Sequence, residues 1–204
     1  MQPSVYFNYA FPLDEDRREL AKSRNIPYPE WTDVDTATQA WAALWQEANK
    51  DERIIKRLIE LTGRTLPYPV EVCIIGGIFD AMSIPLIIPL TRRGGVRITD
   101  PDFLQILVHE LCHRFTAPRE NAPGTVEYWE AVKARYSAEP LATQKHILIY
   151  ALLKKIVPDM LGEESWNRCQ QSPLPTYQRA LQLMEERGAD DCLNEFRSYV
   201  TNKP

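Results

Sequence analysis

His109-Glu110-Leu111-Cys112-His113 is the segment whose residue types and spacing point to chemistry. It reads H-E-x-x-H. Residues four apart project from one face of a helix, so both imidazoles can reach one metal ion. Glu110 lies about a third of a turn away, where it misses the ion but can touch a water bound to it. That geometry suits zinc-assisted hydrolysis, with Glu110 as general base. The segment lies in a run that is otherwise apolar (Phe103, Leu104, Ile106, Leu107, Val108, Leu111, Phe115). Polar groups buried without partners cost several kcal/mol, so a His-Glu-His cluster inside such a helix needs a reason.

A catalytic zinc takes three protein ligands and leaves one position for water. The chain contains three histidines in all. The third, His146, falls in a second apolar helix, where a lone imidazole is out of place, and it is the expected third ligand. The rivals are Glu127 and Glu130 on the helix between, whose ordinary fate is exposure to solvent. If one of them binds the ion, His146 acts nearby on the reacting carbonyl. Tyr150 is four residues after His146 and shares its helix face. Its phenol either donates to the oxyanion that develops on attack or packs as a core tyrosine. Cys112 reads as a small buried residue. The pairs Trp41/Trp45 and Trp129/Tyr136 read as packing anchors, and Arg92 and Arg93 as a solvated loop tip.

The elements that must hold this constellation can be read from periodicity. Residues 12–24 suggest a short charged helix. Residues 36–62 suggest one or two amphipathic helices, with Trp41, Leu44 and Trp45 and then Ile54, Ile55, Leu58 and Leu61 at spacings of three and four, stopped by Gly63. Val70 to Ile75 reads as a strand ending at Gly76-Gly77. Pro85 to Leu90 reads as a second strand, and its prolines assign it to a sheet edge. Arg92 to Gly95 reads as a hairpin loop leading into a strand over 96–99. Asp100 is the expected N-cap and Pro101 the first residue of the motif helix, 101–115. Helices are then expected near 125–137, over 140–157 with Pro158 ending or bending it, near 174–187 and over 189–200.

Composition removes several alternatives. Lys and Arg number 24 against 28 Asp and Glu, for a formal charge of −4. A protein that grips a phosphate backbone shows a basic excess, so nucleic acid is not an expected partner. No uninterrupted apolar run reaches the 18 residues of a membrane span, and the first residues lack the order of a signal peptide. The four cysteines stand far apart with no Cys-x-x-Cys pair, which suits reduced thiols and a cytoplasmic setting. Oligomeric state is left open.

On the H-E-x-x-H segment and its surroundings, the sequence resembles the zincin superfamily of zinc metallopeptidases. The resemblance covers roughly residues 68–157: an edge strand at 85–90, a strand at 96–99, then the metal-binding helix. It implies a mixed sheet whose edge strand pairs with an extended peptide substrate along Leu86 to Leu90. Some features depart from known members. No G-x-x-H follows His113, Lys133 stands where a thermolysin-like pattern has Glu, and no N-E-x-x-S-D signature is present. The expected fold class is therefore α+β, mainly helical, with a small mixed sheet and an active-site helix flanked by N- and C-terminal helices. A single domain is expected over 1–204, comprising a helical part (1–66), a metal-binding core (67–157) and C-terminal helices (158–204). The expected activity is zinc-dependent peptide-bond hydrolysis of a peptide or protein substrate. The competing readings are a zincin-like binding or regulatory module with little turnover, and metal-assisted hydrolysis of a non-peptide amide or ester.

Overall fold

A computed structural model describes residues 4–66, 68–92, 94–118 and 122–201. The described residues form nine α-helices and one four-stranded mixed sheet, a mainly helical α+β fold. The chain packs as two compact units, Met1–Asp51 with Leu66–Glu110 and Glu52–Thr65 with Leu111–Pro204.

The first unit holds the sheet. Its strands are β1 (Val5–Tyr9), β2 (Val70–Ile75), β3 (Met82–Ser83) and β4 (Leu86–Pro89), in the spatial order β1-β2-β4-β3. β1, β2 and β4 run parallel, and β3 pairs antiparallel with β4. Helices α1 (Phe11–Ser23) and α2 (Trp31–Ala48) pack on it. The inward stripe of α2 is Val34, Ala37, Trp41 and Trp45, three or four residues apart as a helix buried on one side requires. Trp41 stacks on Phe103 with ring centroids 4.3 Å apart, and its indole N–H donates to Asp100 at 3.2 Å. Phe103 belongs to α4 (Asp100–Thr116), so this contact seats the N-terminal half of the motif helix.

Three strand-level expectations are corrected here. β4 is not an edge: β2 lines one side, and the other is taken by β3 at Leu86 and Ile87. Beyond β3, the amide of Ile98 donates to Leu90 and Thr91 bridges Arg97. Pro89 is tolerated because neighbouring amides in a strand point opposite ways. Leu90 N–H reaches Ile75 on β2, so the donor that Pro89 lacks would point away from β2, past the end of β3. The edge on that side is β3, and a peptide cannot pair along Leu86 to Leu90 as expected. The segment 96–99 forms only the isolated Thr91–Arg97 bridge and no strand. The turn before it is present, with Gly95 N–H on the Arg92 carbonyl, while Arg93 lies outside the described residues.

The cap of α4 also shifts by one residue. Thr99 precedes the helix, its carbonyl accepts from Phe103 N–H at 2.8 Å, and its hydroxyl oxygen accepts from Asp102 N–H at 3.4 Å. Asp100, freed of the capping task, accepts from Trp41.

The second unit is helical: α3 (Arg53–Thr62), the end of α4, α5 (Thr125–Arg135), α6 (Leu141–Leu161), α7 (Glu163–Gln170), α8 (Pro175–Arg187) and α9 (Ala189–Thr201). α6 is its axis and touches α3, α5, α7, α8 and α9. Its residues Ile147 to Leu153 are buried without a break, which explains an apolar pattern with no polar face. α6 runs through Pro158 to Leu161, so Pro158 does not end it. The Pro158 carbonyl still accepts from Gly162 N–H at 3.1 Å. α3 ends where Gly63 adopts φ 68°, the left-handed conformation that glycine takes without a Cβ penalty.

The C-terminal end of α4 is tied down by side chains. Arg64 donates to the Phe115 carbonyl at 2.8 Å, and the Trp129 indole donates to the Thr116 carbonyl at 2.7 Å. These satisfy carbonyls that a helix end otherwise leaves without partners. All four cysteines are free thiols. Among the described residues, no helix is long and apolar enough to cross a membrane.

Candidate metal centre

α4 carries His109 and His113 one turn apart, and α6 carries His146. One ligand atom from each of the three lies within 4.8 Å of the others. His146 is 6% exposed, and His109 and His113 are half-buried. The Nε2 atoms of His113 and His146 face each other at 3.3 Å, with the rings nearly perpendicular at 80°.

The tautomer of His146 follows from its neighbour. Its Nδ1 lies 2.7 Å from the Ala142 carbonyl oxygen, which can only accept. Nδ1 therefore carries the proton, and Nε2 presents a lone pair toward His113. Histidine ligands of metals are commonly oriented by this second hydrogen bond.

Burial sets the charge states of these side chains. It lowers the His113 pKa to about 3, assisted by the nearby His146 and Lys145 charges. His146 is also lowered by burial, against an opposing contribution from the Ala142 carbonyl. Both imidazoles are thus held neutral, the form that binds a metal. Glu110 is 8% exposed, and burial raises its pKa to about 7. It is not among the clustered ligands.

The donor set can be tested against an ion. Two nitrogens bound to one tetrahedral zinc at about 2.0–2.1 Å stand about 3.3–3.4 Å apart. The His113–His146 separation of 3.3 Å meets that value. Three neutral imidazoles are also a known ligand set for catalytic zinc.

The other expected residues fall elsewhere. Glu127 and Glu130 are exposed on α5, and Glu130 pairs with Lys133 at 2.6 Å; neither belongs to the cluster. The Tyr150 hydroxyl makes a long 3.4 Å bond to the carbonyl of Cys169 on α7, and burial raises its pKa. Cys112 is fully buried.

Two neighbouring residues were not anticipated. Tyr177 on α8 lies over the His146 ring, centroids 3.9 Å apart and planes tilted by 31°. Nothing local to residue 177 announces this, because it depends on how α8 docks on α6. Gln105 is one turn before His109 on the same face of α4, and its side-chain oxygen is buried with no hydrogen-bond partner. Here a signal existed: Gln105 is a polar residue four positions upstream of His109 in an apolar helix. No family model, curated protein or solved structure matches the chain.

Proposed function

We propose that this chain is a zinc-dependent hydrolase that cleaves peptide bonds, with His109, His113 and His146 as ligands and Glu110 as general base. The observation that carries the reading is the 3.3 Å approach of two Nε2 atoms, one of them held as a lone-pair donor by a backbone carbonyl. Since His146 presents a lone pair there, the approach needs a positive partner between the rings, either a proton on His113 Nε2 or a cation. A shared cation satisfies both nitrogens.

When bound, a divalent ion supplies Lewis acidity and makes water nucleophilic near neutral pH. The remaining work falls to the chain. His109 and His113 hold their spacing through the helix that carries them, and the Ala142 carbonyl fixes the ring of His146. Glu110, buried beside the ligands, takes a proton from the attacking water and delivers it to the leaving nitrogen. Tyr150, engaged with Cys169, has no part in this scheme. The intact Glu110 is what favours an enzyme over a binding module, since a metal-holding scaffold has no use for a base. The likeness to zincins rests on the motif helix, and the interior position of β4 is a departure from that pattern.

The test is metal content and turnover on one preparation. Protein purified without chelators is expected to hold one equivalent of zinc and to cleave an unstructured protein or a peptide library. Glu110→Gln should keep the zinc and lose at least about a hundredfold in rate, the usual scale for removing a general base. Absence of stoichiometric metal, or undiminished cleavage by the variant, overturns the proposal.

A further inference from the structure

The His146 imidazole is constrained from three directions, and only two of them involve hydrogen-bonding atoms. Nδ1 is tied to Ala142, and Nε2 faces His113. One face of the ring lies against the phenol of Tyr177, at 3.9 Å between centroids. A single bond at Nδ1 settles the tautomer but still lets the ring rock about it. Contact across the face opposes that rocking.

Tyr177 is itself placed with care. The hydroxyl of Thr143, one turn before His146 on α6, donates to the carbonyl of Thr176 at 3.1 Å. That bond pins the first turn of α8 against the first turn of α6, with Tyr177 as the next residue. The amide of Tyr177 donates to Leu174. The side-chain amide of Gln178 donates to Gln170 and Ser172, closing the loop that leads into α8. The ring is thus delivered by the backbone of α8.

We infer that Tyr177 is a positioning residue for the metal centre: its ring, not its hydroxyl, holds His146 in the orientation that directs Nε2 toward His113. This rests on the metal-site reading above and extends it to a residue outside the ligand set. Groups that orient a ligand are typically worth about 10–100-fold in metal affinity. Tyr177 is half-exposed near the start of its helix, so replacing it leaves most of the core untouched.

The experiment measures zinc and cobalt affinity by competition with a chromophoric chelator, for the parent chain, Tyr177→Phe and Tyr177→Leu. Melting of each metal-free protein serves as the folding control. Tyr177→Phe should bind within about twofold of the parent. Tyr177→Leu should bind at least about tenfold more weakly, and the visible spectrum of bound cobalt should change with the geometry of His146. Equal affinity in Tyr177→Leu overturns the inference and leaves the metal-site reading standing. Loss of affinity in Tyr177→Phe also overturns it, by assigning the effect to the hydroxyl. If the parent chain binds neither metal, both readings fall. If Tyr177→Leu melts early, Tyr177→Met carries the same test, with the same weakening expected and equal affinity again overturning the inference.

Discussion

His113 and His146 come from different helices, yet their Nε2 atoms approach to 3.3 Å while the Ala142 carbonyl holds the proton of His146 on the opposite nitrogen. This pair makes His146 the expected third ligand over either glutamate. His146→Ala should therefore empty the centre, with zinc affinity falling by several orders of magnitude in a chelator competition. Glu127→Ala and Glu130→Ala should bind as the parent does, because both side chains are exposed on α5. Retained zinc in His146→Ala, with loss in a glutamate variant, would reverse the assignment.

The parts of the fold that sequence made legible are those governed by local periodicity. The stripe of α3 and its glycine stop, the strand Val70–Ile75, and the two apolar helices carrying the histidines all lie where their patterns put them. What local pattern could not show are features fixed by distant partners. β1 acquires its meaning from β2, its parallel neighbour far along the chain. β3 is two residues long, too short for any alternation, yet it converts the expected edge at β4 into an interior strand. α7 was missed because it is short and mostly polar, burying only Ser165, Trp166 and Cys169. At the candidate metal centre the three clustered residues were legible because histidines are scarce in this chain. Tyr177 was not, because tyrosines are common and its contact is tertiary.

Asp14, in the first unit, accepts from four groups and lies outside the proposed chemistry. It is fully buried and accepts from the hydroxyls of Tyr9 at 2.7 Å and Tyr28 at 2.6 Å and from the amide of Gly76 at 2.5 Å. Arg18 adds a weaker contact at 3.3 Å. Through these bonds the first turn of α1 is joined to the end of β2. Asp14→Ala leaves three donors without this acceptor, while Arg18 keeps the Pro29 carbonyl and Glu15, a loss of about 1–3 kcal/mol for each donor that stays buried. The variant should unfold at clearly lower urea, read by tryptophan fluorescence, with zinc affinity of the folded protein unchanged. A midpoint within error of the parent would show that the cluster is energetically idle.

Gly124 opens α5 at φ 81°, and a Cβ built there would stand 1.9 Å from the carbonyl oxygen of Tyr199. The obstruction is backbone, so no side-chain rotation relieves it. Left-handed strain adds to the clash. Gly124→Ala should destabilise by more than about 2 kcal/mol and loosen the packing of α5 on α9. Thermal melting and hydrogen exchange of the α9 amides measure this, and unchanged protection of those amides would count against it. A glycine-to-alanine change at Gly94, where nothing lies within 4 Å, shares the positive φ without the collision and should cost less.

Glu195 on α9 joins three helices by receiving Arg135 from α5 and Arg187 from α8, each at 2.6 Å. Burial alone would raise its pKa, but the hydrogen bonds and charges of the two arginines outweigh it and leave the pKa lowered. In the unfolded chain an ordinary glutamate titrates near about 4.3. The folded state therefore binds fewer protons as acid is added, and stability present above that value is lost as pH falls through the lowered folded pKa. Glu195→Gln removes the titrating group and the charge on both arginine bonds. At neutral pH the variant should be less stable by about 2 kcal/mol, the scale of hydrogen bonds to a charged group. Its urea midpoint should also vary less with pH below about 4.3 than that of the parent. Parallel midpoint-versus-pH curves for the two proteins would show that this carboxylate is not what acid attacks.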